Sequence, residues 1–347
     1  MSDRCSVHEL TIDDGAAWDD FVLRSSRASP YHLLGWRQAI VETYGYRSHY
    51  LVAKSDGKIA GVLPLIEIRS RLLGDALTSL PGGVCAETPK VAEALVEAAA
   101  ARADTLGVDY LALRDTLDPV APGLATINQH AVFVLGVPSD SDEVLATLPS
   151  NMRRQVRQGL NRGVQVTSGR DDLWDFYRMF ARFTRDVGTP VFSADFLERV
   201  ADALAGHWMV VCVRDRGRVV GGGFQVLLGD TVWGLWGGAL HESLPLRPNH
   251  LLVWGCLCYA AEHGFPRLNF GRSRIGSGQH KFKRQWGGTA HPLYQHFSLL
   301  QRESIPGVLD GASPSRARRL FVGAWRRLPL PFACWLGPKL RQHIPFG

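Results

Sequence analysis

Residues 208–237 read WMVVCVRDRGRVVGGGFQVLLGDTVWGLWG, and this stretch decides the fold. Its three apolar runs are separated by the turns Asp215-Arg216-Gly217 and Gly229-Asp230, and they span Trp208–Arg214, Arg218–Leu228 and Thr231–Gly237. Runs rich in β-branched and aromatic residues, joined by short glycine turns, are typical of consecutive β-strands. The stretch therefore predicts three strands connected by tight turns.

A helix and a further strand follow, and the first half of the chain has the same order of elements. The pattern predicts a helix over Asn249–His263, ended by Gly264, and a strand over Arg267–Phe270. About 160 residues earlier, the predicted order is a helix at Leu34–Tyr44, strands Ser48–Lys54, Lys58–Glu67 and Ala76–Leu80, a helix at Lys90–Leu106 and a strand at Asp109–Arg114. Matched elements and turns indicate a duplicated α/β unit, with domains at 1–140 and 141–300 and a tail at 301–347.

The net charge of +6 belongs to the tail. Residues 301–347 hold eight basic and two acidic side chains, so they carry 8 − 2 = +6, and the other 300 residues carry 31 − 31 = 0. Overall basicity therefore does not indicate a nucleic-acid-binding body. A chain of 347 residues with 46% hydrophobic and 21% charged residues has the composition of a folded protein of two domains.

The sequence predicts a cytoplasmic protein without metal. Its start has no apolar segment after a basic one, and its longest apolar stretch, Leu251–Ala261, is about half of the ~20 residues that a membrane span needs. Six scattered cysteines predict reduced thiols, and no zinc-binding spacing occurs.

A basic helix is predicted between the domains, over residues 141–162. Asp142 and Glu143 begin it, and Arg153, Arg154 and Arg157 lie toward its far end. Two interpretations of these arginines are open: they compensate the negative end of the helix dipole, or they contact phosphate or RNA.

The tail predicts an amphipathic helix. Between Ser315 and Leu328, apolar residues recur at the i, i+3, i+4, i+7 spacing, and arginines flank that stripe. Two interpretations stay open: the helix docks on its own protein, or residues 315–347 lie peripherally on the inner, anionic face of a membrane.

The strongest local signal for function is residues 269–286, NFGRSRIGSGQHKFKRQW. The stretch follows a predicted strand, carries five basic and no acidic side chains, and is punctuated by glycines. Glycines let a backbone approach a ligand closely, and arginines and lysines pair with phosphate or carboxylate. Because α/β folds place sites at strand ends, we interpret this stretch as a binding loop.

Two further segments are candidate phosphate sites. Arg218–Gly223 fits the R-x-x-G-x-G pattern of a pyrophosphate loop, but its glycines continue into an apolar run, which favours a bent strand. At the junction before the second helix, Asn249 is predicted as the N-cap and Arg247 adds a cation, so the junction is either an anion site or a simple cap.

The residues Asn269-Phe270-Gly271-Arg272-Ser273, followed by Phe282-Lys283-x-x-Trp286-Gly287, resemble the FemAB family of tandem GNAT-like transferases. More narrowly, they look like the FemAB-type proteins associated with exosortase (PEP-CTERM) and exopolysaccharide systems. The likeness extends over most of the chain through further segments: Trp36-Arg37, Gly61–Leu65, Arg153–Arg157 and Pro248-Asn249-x-x-Leu252-x-Trp254.

The resemblance implies an α/β (α+β) fold of two tandem GNAT-like domains and transfer of an acyl group to an amine by direct attack. No cofactor is then bound, the donor is aminoacyl-tRNA or acyl-CoA, and the acceptor is an amine-bearing saccharide or peptide precursor of the cell envelope or of exopolysaccharide. Lys283 is expected to stabilise the oxyanion and Phe282 to stack on the donor's adenine. The donor or acceptor is expected to contact six further residues, namely Arg272, Ser273, Arg247, Asn249, Trp254 and Trp286.

A general base is also expected, because a protonated amine cannot attack. His241, Glu242 and His280 are candidates by position. Two other functions stay open: a non-catalytic protein that binds a saccharide or peptide carrier for a secretion system, and an RNA-binding module that uses Arg153–Arg157 and Arg272–Arg284.

Overall fold

The computed structural model describes residues 5–70, 74–117, 123–302, 304 and 316–342. The strands within these residues are β1 (Ser6–Glu9), β2 (Arg47–Ser48), β3 (Leu51–Ser55), β4 (Lys58–Leu63), β5 (Leu65–Ile68), β6 (Ala76–Ser79), β7 (Cys85–Ala86), β8 (Tyr110–Thr116), β9 (Ala125–Gly136), β10 (Gln165–Gly169), β11 (Trp208–Asp215), β12 (Arg218–Leu228), β13 (Thr231–Ala239), β14 (Arg267–Arg274) and β15 (Thr289–Leu299). The α-helices are α1 (Gly15–Arg24), α2 (Gly35–Tyr44), α3 (Pro89–Leu106), α4 (Val144–Thr147), α5 (Ser150–Leu160), α6 (Leu173–Val187), α7 (Ala194–Ala203), α8 (Pro248–Glu262), α9 (Gly278–Arg284), α10 (Arg316–Trp325) and α11 (Leu330–Arg341). Short 3₁₀ helices occupy Pro30–His32, Ser141–Glu143 and His241–Leu246.

The strands form two sheets. One has four strands in the order β1-β3-β4-β7, and the other has eleven in the order β10-β11-β12-β13-β14-β9-β15-β8-β6-β5-β2. The strand predicted over Lys58–Glu67 is wrong as a single element, because Pro64 divides it into β4 in the small sheet and β5 in the large one. Proline has no N–H for a ladder, so a strand often ends or changes sheets there.

The two halves of the chain are joined by shared strands. β9, from the first half, pairs with β14 and with β15, and β15, from the second half, pairs with β8. Each half therefore contributes a strand beside the edge of the other, and the hydrogen-bonded ladder runs without interruption across the molecule. Residues near these strands are held in place by both halves at once.

Helices cover the large sheet with aromatic cores. On α6, Leu173, Phe176, Phe180 and Thr184 follow the helical period and face inward, so the helix buries one side. Phe176 belongs to a core that includes Trp36, Phe196 and Phe224, and a second core lies between the sheet and the helices α5 and α8. Each fully buried large apolar side chain stabilises the fold by roughly 1.5–3 kcal/mol.

The predicted interdomain helix 141–162 is not continuous. A 3₁₀ turn and α4 end at Thr147, and Pro149 precedes α5 as its N-cap. Proline cannot donate to the preceding turn, so the helix restarts there. Arg153 and Arg154 consequently lie in the first half of α5, and only Arg157 lies in a last turn where it suits the dipole.

The tail docks on the body, as one of the two sequence interpretations predicted. Trp325 on α10 and Ala333 on α11 are buried, and α11 packs against α6. The Tyr46 hydroxyl donates to the Gln342 carbonyl next to α11. Ser315 and the side chain of Ala317, which the prediction included, lie outside the described residues. In the described part of the chain, no helix is long and apolar enough to cross a membrane.

Candidate functional site

The stretch predicted as a binding loop is a strand, a turn and a helix. β14 continues to Arg274, and α9 begins after Ser277, whose Oγ accepts the His280 N–H at 3.2 Å. The loop prediction is wrong because the second half of β14 pairs with β9: Arg272 lies opposite Val132 and Arg274 opposite His130. That partner comes from the other half of the chain, about 140 residues away, and local sequence does not reveal it.

The parallel strands β13 and β14 begin together and then separate. They pair at three positions only, Thr231–Trp233 with Arg267–Asn269. Beyond Gly234, β13 continues to Ala239 without a strand partner on this side in the described ladders. Both strands change register here, β13 around Leu235 and β14 between Asn269 and Arg272. Bulges of this kind end pairing and redirect side chains, often beside active sites.

The bulge in β14 depends on Gly271 and Lys283. Gly271 has a φ of 71°, and a Cβ there would lie 2.2 Å from the Gly234 carbonyl oxygen, so only glycine fits. Its N–H donates to Asn269 Oδ1 at 2.8 Å. Lys283 Nζ donates to the carbonyls of Gly271 at 2.7 Å and of Arg272 at 3.0 Å. Burial lowers the pKa of Lys283 to about 8.

A cavity of about 1160 Å³ lies between the two halves of the chain and reaches the point where β13 and β14 separate. We call it the central cavity. One wall is aromatic and includes Tyr31, Phe192, Phe196, Trp233 and Trp236. Another wall is basic and includes Arg272, Arg274 and Arg341. A space with one apolar wall and a few charged groups is typical of small-molecule sites.

Asp115 is the one carboxylate among the described residues that line the central cavity. It is 6% exposed, has a φ of 53°, and lies where β8 changes register against β15. Its Oδ2 is 3.4 Å from Arg272 Nη1, and Gln295 Nε2 donates to its Oδ1 at 3.5 Å. Left-handed backbone at a buried, non-glycine residue is a feature of functional sites.

His130 completes this polar cluster as a neutral side chain. Desolvation, with a contribution from Arg272, lowers the pKa of His130 to about 4. The neutral ring accepts from Arg272 Nη2, 3.1 Å from its Nε2. The sequence interpretation missed both Asp115 and His130. An aspartate directly after the predicted strand Asp109–Arg114 was the available signal for the first, and nothing local marked the second.

Two of the predicted site residues line the central cavity, Arg272 and Ser273. Ser273 is 3% exposed, and its hydroxyl donates to the Ala131 carbonyl at 3.3 Å. Lys283 does not line the cavity; it lies on the other side of the β14 bulge, with its ammonium engaged by the two carbonyls. Its expected contact with an oxyanion stays a prediction.

The predicted aromatic residues lie on the opposite side of the sheet, against α8. Phe282 is 5.1 Å from the His250 ring and 6.0 Å from the Trp286 ring. Trp286 is 2% exposed and belongs to the core between the sheet and α8, with Trp254 at its edge. Phe282 and Trp254 are half-buried.

The junction before α8 differs from the prediction. Asn249 is not the N-cap: Arg247 holds that position with a φ of 62°, Pro248 follows it, and no side chain caps the helix. Proline prefers the first helical position, which shifts the cap one residue earlier than Asn249 would set it. The Arg247 carbonyl accepts the His250 N–H, so few free N–H groups remain here for an anion.

None of the three predicted bases lines the central cavity. His241 is exposed, Glu242 pairs with Arg182 at 2.5 Å, and His280 packs against the Phe133 ring at 5.1 Å. Asp115, which lines the cavity, is a further candidate for the base.

The prediction that Arg218–Gly223 is a strand and not a pyrophosphate loop is confirmed. Gly221, Gly222 and Gly223 lie within β12 and pair with β11 on one side and β13 on the other. Their N–H groups belong to the ladders, so this segment has no free cradle for phosphate.

Basic residues gather on the face of the sheet that α5, α8 and α9 cover, which we call the helix face. α5 packs on α8, and Pro149 lies 3.7 Å from the Cβ position of Gly287, so α5 begins beside the end of α9. The exposed or half-exposed cations of these helices are Arg153, Arg154, Arg157, Lys281 and Arg284. The helix face and the central cavity are therefore two approaches to the same separated strands, from opposite sides of the sheet, and both carry basic side chains.

Comparison with known proteins identifies the class of fold. Residues 149–284 match the family described as acetyltransferase (GNAT) domain. The solved structure of FemX is similar with a TM-score of 0.68 and 16% identity, over 85% of this chain and 98% of that one. The C-terminal domain of a putative lysylphosphatidylglycerol synthetase from Agrobacterium fabrum is similar with a TM-score of 0.55 and 13% identity, over 84% and 92% of the two chains.

A tandem GNAT protein from the clavulanic acid biosynthesis pathway is also similar, with a TM-score of 0.54 and 12% identity over 85% of this chain and 98% of that one. No curated protein matches the sequence significantly. The chain therefore has a mixed α/β tandem GNAT fold, and the match to the GNAT acetyltransferase model lies in its second half.

Proposed function

We propose that this protein is an N-acyltransferase in which the separated strands β13 and β14 hold the acyl group between two substrates. The observation that carries the proposal is that this separation opens onto the central cavity, which brings Asp115 and Arg272 to it. Peptide N–H groups of β13 beyond Gly234 have no strand partner on this side, and they are suited to bind the acyl carbonyl as charge develops on its oxygen.

The donor approaches from the helix face, and we assign it as aminoacyl-tRNA. The exposed cations there, Arg157, Lys281 and Arg284, suit a polyanion. A coenzyme A pyrophosphate would need a cradle of free N–H groups. The glycines of β12 are committed to ladders, and Pro248 at the start of α8 has no N–H to offer. Phe282, half-buried on this face, is the ring available to stack on an adenine.

The acceptor amine enters through the central cavity. Its nitrogen attacks the acyl carbonyl carbon, the N–C bond forms, and the ester C–O bond to the ribose breaks. Asp115 takes one proton from the amine, and the ribose oxygen leaves as a hydroxyl after it takes up a proton. Asp115 is buried and lines the cavity through which the amine enters, and a positioned carboxylate is a common general base.

For the acceptor, we propose an amine-bearing saccharide or peptide precursor of the cell envelope or of exopolysaccharide. The FemAB-like motifs around Arg272 and Lys283, the similarity of the fold to FemX and the aromatic wall of the cavity support this class. A FemAB-type role beside an exosortase (PEP-CTERM) system belongs to the same proposal. Genes for such a system next to this one, and altered envelope amines after its deletion, are the expected outcomes.

The test is transfer of radiolabel by the purified full-length protein. Aminoacyl-tRNA charged with ¹⁴C-amino acids and ¹⁴C-acetyl-CoA are offered in parallel, with glucosamine, glucosamine 1-phosphate, a lysine-ended peptide and hydroxylamine as amine acceptors. We expect alkali-stable amide product from the tRNA donor only. Product from acetyl-CoA alone overturns the donor assignment, and specific acceptor binding without product from either donor overturns the enzyme in favour of a carrier-binding protein.

We also propose that the tail binds an anionic membrane surface from the cytoplasmic side. Four large apolar side chains on its two helices are exposed: Leu320 (65%), Phe321 (43%), Phe332 (46%) and Trp335 (56%). Residues 316–342 contain seven basic and no acidic residues, and Lys339 lies 3.7 Å above the Trp335 ring. Aromatic side chains with flanking cations are typical of helices that lie in the interface of anionic bilayers.

Flotation with vesicles tests the tail. The protein is expected to float with phosphatidylglycerol-containing vesicles and not with pure phosphatidylcholine, and Trp335→Ala with Phe332→Ala is expected to abolish this. Val187→Ala, which alters an exposed apolar residue on α6, is the matched control. Equal flotation of the double variant and the control would contradict this role.

A further inference from the structure

Three arginines surround Tyr31 at one end of the central cavity. Arg114, Arg272 and Arg341 all influence the ionisation of the Tyr31 hydroxyl, as does Asp115. Arg272 and Arg341 line the cavity, and Arg341 is contributed by α11, the last helix of the tail. The tail therefore supplies part of the cavity wall.

These guanidinium groups lack sufficient partners within the protein. Arg114 Nη1 and Arg272 Nε are buried and make no hydrogen bond. Arg341 has neither a hydrogen bond nor an ion pair from its guanidinium to any group in the described part of the chain. Among the described residues that line this space, Asp115 is the one carboxylate, and it is already beside Arg272.

Arginine does not lose its charge in proteins, so these three half-buried guanidinium groups stay positive beside the cavity. An oxyanion that accepts several of their N–H groups would satisfy the donors that have few partners within the protein. Burial lowers the pKa of both Arg114 and Arg341, which is the expected sign for cations with too few partners. Burial also raises the pKa of Tyr31 to about 12, so its hydroxyl stays protonated as a donor.

We infer that Arg341, Arg272 and the Tyr31 hydroxyl form an oxyanion subsite that binds a phosphate or carboxylate of the acceptor, completed by the C-terminal tail. Assignment of the anion to the acceptor rests on the proposed function, because the subsite lies in the central cavity and not on the helix face. The aromatic wall beside it suits the sugar or peptide portion of the same molecule.

Isothermal titration of the full-length protein tests this subsite without any transfer reaction. The probes are pyrophosphate, inorganic phosphate and succinate at constant ionic strength. Arg341→Gln is expected to lower the affinity for the tightest-binding probe by roughly tenfold to a hundredfold, which is the range for loss of a charged hydrogen bond. Arg341→Lys keeps the charge and is expected to lose less affinity. It replaces the glutamine variant in the test if that variant folds poorly. The matched control is Arg327→Gln, an exposed arginine in the same tail, which is expected to leave affinity within about twofold.

The probe with the higher affinity identifies the anion. Tighter binding of the phosphates than of succinate indicates a phosphate-bearing acceptor, and tighter binding of succinate indicates a carboxylate. Absence of binding by all three probes, or equal affinities of the Arg341 and Arg327 variants, overturns the subsite. Competition by deacylated tRNA or desulfo-coenzyme A against pyrophosphate overturns the assignment to the acceptor. Because binding is read without turnover, failure of acyl transfer leaves this result intact, and the two proposals fail separately.

Discussion

Replacement of Lys283 by alanine is the most informative single perturbation of this site. The ammonium donates to the carbonyls of Gly271 and Arg272 at 2.7 and 3.0 Å, and these two residues form the bulge that separates β14 from β13. In Lys283→Ala, both carbonyls lose a charged donor while the strand around them stays covered by α9. We therefore propose that Lys283 is a positioning residue for Arg272.

The expected loss of stability follows from those two contacts. A hydrogen bond to a charged group contributes about 1.5–3 kcal/mol, and a polar group left buried without a partner costs about 1–3 kcal/mol. Relief of the buried ammonium, whose pKa burial lowers to about 8, offsets part of this. We expect a net loss of about 2–4 kcal/mol in the free energy of unfolding, within the range for broken buried networks.

The assay combines urea denaturation, followed by tryptophan fluorescence and circular dichroism, with titration of pyrophosphate. Lys281→Ala, an exposed lysine of the same helix, is the matched control and is expected to change stability by less than about 0.5 kcal/mol. Lys283→Ala is expected to lose stability and anion affinity together, because the bulge positions Arg272. Stability and affinity equal to the control, with transfer alone reduced, would refute the positioning role and favour direct contact of Lys283 with the oxyanion.

Three further perturbations test the site and its surroundings. Gly271→Ala is expected to lower the free energy of unfolding by more than about 2 kcal/mol, because its Cβ would meet the Gly234 carbonyl. Gly276→Ala, with a φ of 80° and open space, is the control and is expected to lower it by only about 1 kcal/mol in the same denaturation assay. Equal losses in the two variants would contradict the close approach of Gly271 to Gly234. Asp115→Asn is expected to lower the transfer rate by about 10²–10⁴ while the affinity for pyrophosphate changes less than about threefold, and an unchanged rate would exclude it as the base. Burial lowers the pKa of His32 to about 4 from an ordinary 6.5, so between these pH values the unfolded chain binds a proton that the folded chain does not. The contribution of His32 to the free energy of unfolding is therefore complete above pH 6.5, and it falls by roughly 1.4 kcal/mol per pH unit as the pH drops to 4. In His32→Gln, the free energy of unfolding is expected to depend less on pH in that window than in the unchanged protein. Parallel plots of this free energy against pH for the two proteins would contradict the role of His32.

Local elements and their repetition were predictable from the amino-acid pattern. The strands over Trp208–Gly237 and the helices near Lys90–Leu106 and Asn249–His263 were predictable, because hydrophobic period, glycine turns and helix-ending glycines act between neighbouring residues. The strand identity of Arg218–Gly223 was predictable for the same reason. Arg272 and Ser273, which the sequence predicts to bind donor or acceptor, line the central cavity, and their contact with a substrate stays a prediction.

Tertiary structure alone decided what those residues face. Pairing of β14 with β9 converted a predicted loop into a strand, and that ladder joins residues about 140 positions apart. The same shared strands brought Asp115 and His130 to Arg272, and docking of the tail brought Arg341 into the cavity wall. Lys283 was marked by a motif, but only the β14 bulge shows that its ammonium is committed to two carbonyls. Contacts between distant segments depend on how whole sheets assemble, and hydrophobic patterns within one segment carry no information about their partner.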